Sequence, residues 1–322
     1  MKLAFLFFGN QPDEKWQLCK QMGIEYAIAK LAPELTNMPS IDNFESFEKS
    51  KEIYQNQGFK LWGLEGDQFD MHRIKLGLEG REDDVEKYCK MLENMNRLDV
   101  RLLCYNFMAT GWYRTNKNIK ERGDAIVSGF SMKEAQLEPQ SPYGVFSENQ
   151  IWDNYQWFIE RVMPVAEANN IKMALHPDDP PISPIHGISR ILTSAEAIDR
   201  ALSLSDSSSH GLTFCQGTFT TMNEDVLQMI QKHGKNNKIF FVHIRDVIGS
   251  PENFRETFHD NGPTDMLKMM KGYYDVGFQG AIRSDHVPTM AGESNENFGY
   301  EMKGNLFGIG YMKGLMEVCK NG

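Results

Sequence analysis

The chain has no run of lysine and arginine, no CxxC pair and no apolar stretch near the ~18 residues that a membrane span requires. The missing basic run goes with a formal net charge of −10, from 34 basic and 44 acidic side chains. Together they remove the electrostatic footprint of a nucleic-acid binder. A small anionic substrate stays admissible, because a few local cations outweigh a diffuse negative surface. The five cysteines (Cys19, Cys89, Cys104, Cys215, Cys319) are odd in number and widely spaced. They make no disulfide framework and read as reduced thiols of a cytoplasmic protein, four of them as packing or helix-face residues. The apolar run at Met1–Phe8 stops at Gly9-Asn10. It is shorter than the about 7–15 apolar residues of a secretory leader and has no small-residue cleavage site, so it reads as a buried first strand. No solenoid repeat, low-complexity tract or dividing linker interrupts the 322 residues, and they read as one domain.

What the sequence does have is alternation. Short apolar runs fall at Leu3–Gly9, Tyr26–Ala29, Lys60–Gly66, Val100–Phe107, Ile171–His176, Leu212–Gly217, Ile239–Arg245 and Ala281–Asp285. Amphipathic segments begin between them, near Asp13, Asn43, Asp83, Ile151, Ser194, Asn223, Pro263 and Met302. Between Glu82 and Asn96, for example, Val85, Tyr88, Cys89, Met91 and Leu92 share one face. Pro164 marks a site for a kink or break in the fifth-strand approach. Continuous apolar strands alternating with helices imply a parallel sheet covered by helices. Eight such pairs favour closure into a single (β/α)8 TIM barrel over a doubly wound open sheet. One connection is far longer than the rest: residues 108–149 follow the fourth strand without an evident helix and carry Trp112-Tyr113-Arg114-Thr115. A structureless loop of that length is expected to be an active-site insertion or disordered.

Metal-ligand residue types fall at the ends of successive strands. His176 ends the fifth, Cys215 the sixth, His243 the seventh, and Asp285-His286 the eighth. A lone histidine there is usually structural, a lone buried cysteine a small hydrophobe and a lone aspartate a helix cap. Four at matching ends of consecutive strands converge on one mouth of a parallel barrel, and point to a mixed-softness site for a divalent transition metal. His210 and His233 sit in polar loop or helix-end contexts that predict solvation. His259 stands where it could support the site.

The stretches His176-Pro177-Asp178-Asp179-Pro180-Pro181, Phe214-Cys215-Gln216-Gly217 and Val242-His243-Ile244-Arg245-Asp246-Val247 resemble the mannonate dehydratase family. So do Phe254-Arg255-Glu256-Thr257-Phe258-His259-Asp260, Asp285-His286-Val287-Pro288 and Gly310-Tyr311-Met312-Lys313-Gly314-Leu315. Asn106-Phe107-Met108, with Trp112 and Arg114-Thr115, resembles its fourth-strand loop. The resemblance implies a xylose-isomerase-like barrel and a Mn²⁺-dependent site that tolerates Fe²⁺. It implies conversion of D-mannonate to 2-keto-3-deoxy-D-gluconate, in a homo-oligomer. It further implies His176, Cys215, His243 and Asp285 as metal ligands, with His286 and Tyr300 as the acid/base pair. The chain departs from the family at Gly111, Tyr113, Asn116, Gln216, Thr218-Phe219 and Ser284. The metal residues are kept while the substrate walls change.

Dehydrating a 2,3-dihydroxy acid means removing the proton at C2 and expelling the hydroxyl at C3. A divalent ion stabilises the charge that develops on the oxygens, and it needs open positions, which a closed structural zinc site lacks. Imidazole is the side chain best suited to proton transfer at neutral pH, hence the interest of His286. Arg114 is expected to clamp substrate oxygens through its planar guanidinium. Asn106, Trp112 and Asp178 complete the expected substrate residues. Three alternatives stay open: a metal-dependent sugar isomerase or epimerase, a dehydratase of a different aldonate, and a non-catalytic metal- or sugar-binding paralogue.

Overall fold

Each predicted strand forms, and each is followed by its helix. In the computed structural model, which describes residues 1–321, the chain lays down β1 (Lys2–Phe8), β2 (Tyr26–Lys30), β3 (Lys60–Glu65), β4 (Leu102–Tyr105), β5 (Asn116–Lys120) and β6 (Ile126–Ser131). It continues with β7 (Lys172–Leu175), β8 (His210–Cys215), β9 (Ile239–Ile244), β10 (Val247–Ser250), β11 (Asn253–Glu256) and β12 (Ala281–Ser284). Eight strands close into a barrel in the ring order β1-β12-β9-β8-β7-β4-β3-β2, all paired in parallel. The main return helices are Glu14–Gln21, Phe44–Asn56, Arg81–Arg97, Glu148–Ala168, Ala195–Ser203, Val226–Lys235, Met266–Asp275 and Met302–Asn321. Asp13, Asn43, Ser147, Ser194, Asp225 and Asp265 each accept a backbone N–H as the N-cap of the helix that follows. Helix Glu148–Ala168 runs through Pro164 unbroken. Pro164 and Glu160, whose carbonyl loses its partner, are both exposed, so water can take the place of the missing N–H. Among the described residues no helix is long and apolar enough to cross a membrane.

Strand side chains alternate in direction, and the alternation sorts the core into two shells. Phe5, Phe7, Ala27, Ala29, Leu103, Leu175, Phe214 and Val242 face the helices. Ala4, Leu6, Ile28, Leu102, Cys104, Ala174, Phe241 and Ala281 fill the barrel interior. Continuing the inward set past the last core residue brings Phe8, Lys30, Asn106, His176, His243, Arg283 and Asp285 to the mouth.

The long connection after β4 differs from the structureless loop expected. It contributes β5 and β6 to a second, four-stranded sheet of order β10-β11-β6-β5, whose other two strands follow β9. Phe130, Val247 and Phe254 pack on its face with Ile185. Within it β5 pairs with nearby β6 and β10 with nearby β11, but β6 and β11 lie more than a hundred positions apart, so no local period announces the sheet. His210 and His233 are likewise buried rather than solvated. His210 opens β8, with Nε2 3.3 Å from the Tyr105 hydroxyl and 3.4 Å from that of Tyr155, and burial holds it down to about 4.

Candidate active site

Strand register assembles the expected metal residues. β8 and β9 pair with Cys215 opposite His243, and β9 and β12 with His243 opposite Arg283, so Asp285 follows just beyond. The ligand atoms of His176, Cys215 and His243 all lie within 4.8 Å of one another. Asp285 Oδ2 lies 3.8 Å from Cys215 Sγ and 3.9 Å from His243 Nδ1. Burial alone would raise the Cys215 thiol, but Arg245 and His176 outweigh it and hold the group well below its ordinary range. Burial would lower His176, yet Cys215 and Asp285 raise it to about 9. Asp285 is held well down by His286, Arg283, His243 and Arg245 against the effect of burial.

This donor set fits a divalent transition metal on two further observations. His243 Nε2 and Asp285 Oδ1 are buried without a hydrogen bond, their nearest charged neighbours being Glu65 at 3.4 Å and Arg283 at 3.0 Å, an incomplete satisfaction that costs buried polar atoms free energy. Four buried acidic groups, Asp179, Cys215, Glu256 and Asp285, and the partly buried Glu65 face three buried arginines, Arg114, Arg245 and Arg283. His176, raised to about 9, offsets one of the two negative charges left over; a divalent cation, which takes the imidazole neutral, would cancel both. A second cluster, Glu65 with Cys104 and His243, also lies within 4.8 Å. It is the poorer ligand set, because burial keeps the Cys104 thiol protonated and Glu65 is spent on Arg283. A third, Asp179 with Glu256 and His286, is an ion-pair network around Arg114 and Arg245.

His286 and Tyr300 stand together beside the metal residues. His286 Nε2 is 3.0 Å from the Tyr300 hydroxyl, and Nδ1 is 3.1 Å from Glu256 Oε1. Gly299, at φ +79°, takes a turn that other residues rarely adopt, and its carbonyl receives the Val287 N–H at 2.9 Å. That bridge folds Tyr300 back over His286. Burial and Asp285 keep the phenol protonated, well above its ordinary pKa. Glu256 keeps its charge despite burial, because Arg245, Arg114 and His286 bring it down to about 2. It can therefore accept from Nδ1–H and fix the imidazole tautomer.

A cavity of about 280 Å³ opens between these groups, lined also by Phe8, Lys30, Asn106 and Trp112. Trp112 stacks against Phe298 at 5.1 Å and lies 4.4 Å from the His286 ring. Asn106 faces the cavity while its Oδ1 accepts from Lys75 Nζ at 2.9 Å. Arg114 is placed otherwise than expected. Its side chain is fully buried, and it binds Asp179 at 2.7 Å and Glu256 instead of reaching the cavity. Asp178 is spent on the backbone of Leu192, at 2.8 Å, and braces the loop. His259 donates to or accepts from Ser284 Oγ at 3.1 Å, one residue before Asp285.

Sequence reasoning missed Lys30, Glu65, Arg245 and Arg283. Arg245 touches Cys215 Sγ at 3.4 Å, Asp179 at 2.7 Å and Glu256 at 2.9 Å, tying metal residue to acid/base network. Gly217 permits this, since a Cβ there would come within 2.6 Å of Arg245 Cγ. Arg283 bridges Glu65 at 3.0 Å and Asp285 at 3.0 Å. The two-residue period was the available signal for Lys30 and Arg283, each of which continues an inward-facing row. It does not announce Glu65, because the β2–β3 register shifts within β3 and Leu61, of the same parity, lies in the helix-facing core.

The family model of D-mannonate dehydratase (UxuA) matches residues 1–141 and 132–322. The chain is 32% identical over 357 residues to the mannonate dehydratase of Thermotoga maritima, covering 99% of this chain and 98% of that one. It is 32% identical over 355 residues to that of Streptococcus agalactiae serotype III, covering 100% and 99%. Its fold is similar to the crystal structure of mannonate dehydratase from Streptococcus suis serotype 2, with TM-score 0.91, 28% identity and coverage of 100% and 95%. The D-psicose 3-epimerase of Clostridium cellulolyticum H10, at TM-score 0.61 and 13% identity over 100% and 99%, shares the barrel architecture. The chain belongs to the mannonate dehydratase family.

Proposed function

We propose that this protein is a hydro-lyase that converts D-mannonate to 2-keto-3-deoxy-D-gluconate and water. His176, Cys215, His243 and Asp285 would hold one Mn²⁺, with Fe²⁺ as the alternative ion. When bound, the ion supplies Lewis-acid stabilisation of charge developing on the substrate carboxylate and C2 oxygen. His286 and Tyr300 move the proton. Glu256 fixes the Nδ1–H tautomer and leaves Nε2 to work at the C2–C3 bond, while the protonated phenol is a ready donor to the departing C3 hydroxyl. The proton lost at C2 and the hydroxide lost at C3 balance as water, and the resulting enol relaxes to the 2-keto acid. Trp112 and Phe298 wall the mouth and restrict water around the pair. Residues 1–322 are read as one barrel domain with 108–149 as its active-site insertion, in a cytoplasmic homo-oligomer.

The observation that carries this reading is the His286–Tyr300 pair at 3.0 Å beside four convergent metal-type residues. A purely structural metal site has no use for such a pair. The test is proton NMR of Mn²⁺-loaded protein with D-mannonate, where a 2-keto-3-deoxy acid is expected. Interconversion of free sugars without a keto acid from any aldonate would replace the dehydratase with an isomerase or epimerase.

A further inference from the structure

Each carboxylate and guanidinium lining the cavity has a partner of opposite charge. Asp67 holds Lys75 at 2.6 Å, Glu65 holds Arg283 at 3.0 Å, and Asp179 holds Arg245 at 2.7 Å. Asp285 lies 3.0 Å from both Arg245 and Arg283. Lys30 is the exception. Its side chain lines the same cavity and is half-buried, yet makes no hydrogen bond or ion pair among the described residues.

The strand puts it there for a simple reason. In Tyr26-Ala27-Ile28-Ala29-Lys30, Ile28 belongs to the barrel interior and Ala27 and Ala29 to the helix-facing core. Lys30 shares the side of Ile28 and extends that inward row to the mouth. In the ring order, β2 is four strands from β8 by either route, so Lys30 stands diametrically across from Cys215. A sugar acid held by its carboxylate end at the metal residues runs across the mouth and presents its other end to β2.

We infer that Lys30 reads the substrate end farthest from the metal residues, and favours an anionic group there over the neutral hydroxyl of a hexonic acid. The orientation rests on the dehydratase reading. An ammonium that is half removed from water with no counter-ion gains more from an anion than from a hydroxyl, since charge-assisted hydrogen bonds are roughly twice as strong as neutral ones. Lysine acts as a point charge, so either a terminal carboxylate or a terminal phosphate satisfies it.

Calorimetry on metal-loaded protein in a His286→Asn background, where turnover does not consume the ligand, tests this. Three ligands are compared: D-mannonate, the corresponding diacid with a carboxylate at C6, and the C6 phosphate ester. With Lys30 present, at least one anionic-ended ligand binds about tenfold or more tightly than D-mannonate, the range of a charged hydrogen bond. Whichever gains more identifies the anion. Lys30→Met abolishes the advantage and Lys30→Arg retains it; Lys30→Gln replaces Lys30→Met if that variant does not fold. The inference is overturned if the anionic ends confer no advantage, or if the advantage survives Lys30→Met. NMR of product formation by the unaltered enzyme is run in parallel. A Lys30-dependent preference without any keto-deoxy acid overturns the dehydratase reading and leaves Lys30 in its role.

Discussion

Strands β7, β8, β9 and β12 bring His176, Cys215, His243 and Asp285 to the barrel mouth, whereas β1 to β4 bring Phe8, Lys30, Glu65 and Asn106. The first half is dense with charge, and its groups are tied to one another through Arg245 and Arg283. The second half is sparse. It reaches the first through Glu65, which lies 3.4 Å from His243 and binds Arg283, and otherwise offers an aromatic ring, an amide and an unpaired ammonium. One half is built for a metal and proton transfer, where positions tolerate little error. The other is built for selection, where a substrate wall can change without dismantling the chemistry. Of the departures from the family pattern, Gly111, Tyr113 and Asn116 follow β4, the last strand of that second half, while Gln216, Thr218-Phe219 and Ser284 stand beside Cys215 and Asp285 in the first.

Five experiments, four of which stress this division, run from the largest expected effect to the smallest. His286→Asn should lower kcat by about 10³-fold, within the span of general acid/base catalysis, with metal content by mass spectrometry near that of the unaltered protein. Cys215→Ser should weaken Mn²⁺ binding by about tenfold or more, because it replaces a thiolate with a neutral hydroxyl. Equilibrium dialysis would read that change, and unchanged affinity would remove Cys215 from the ligand set. Removing the metal with a chelator should then lower thermal stability, by about 2.7 kcal/mol relative to protein at a free metal concentration of 100 Kd.

The fourth experiment lies outside both halves of the mouth. His210 and His233 are held neutral at about 4 by burial, below an ordinary imidazole near 6.5. Between those values the unfolded chain binds the protons more readily. Stability is therefore complete above pH 6.5 and lost as pH falls toward 4, by about 1–3 kcal/mol for each group. Urea unfolding at pH 7 and pH 5 should show the loss, and His233→Asn should reduce it. Smallest of all, Phe8→Leu should alter KM by about threefold and leave metal affinity untouched, since the ring is exposed at the cavity mouth and packs edge-on against Tyr300, at 5.1 Å. A loss of metal there would break the division between the halves.

Most of the metal half was legible in the sequence because its residue types are rare at strand ends and recur in register. Its arginines were not. A lone Arg near a strand end reads as solvated; strand parity turns Arg283 inward, but only the closed barrel shows which carboxylates Arg245 and Arg283 meet. Arg114 looked free for substrate because its partners, Asp179 and Glu256, are 65 and 142 positions away. The pairing of β6 with β11, which joins the four-stranded sheet, was hidden for the same reason. His210 and His233 looked polar from their neighbours, while burial is decided by Tyr105, Tyr155 and Phe219 from other parts of the chain. Lys30 was the most recoverable, since the parity of β2 alone points it inward.

The central claim is that one half of the mouth holds a metal and the other reads the substrate. A crystal structure of Mn²⁺-soaked protein with an aldonate, recorded at the manganese absorption edge, tests it most directly. The account predicts a single anomalous peak among His176, Cys215, His243 and Asp285, with the far end of the ligand beside Lys30. A peak among Glu65, Cys104 and His243, or a ligand lying with its far end away from β2, would contradict it.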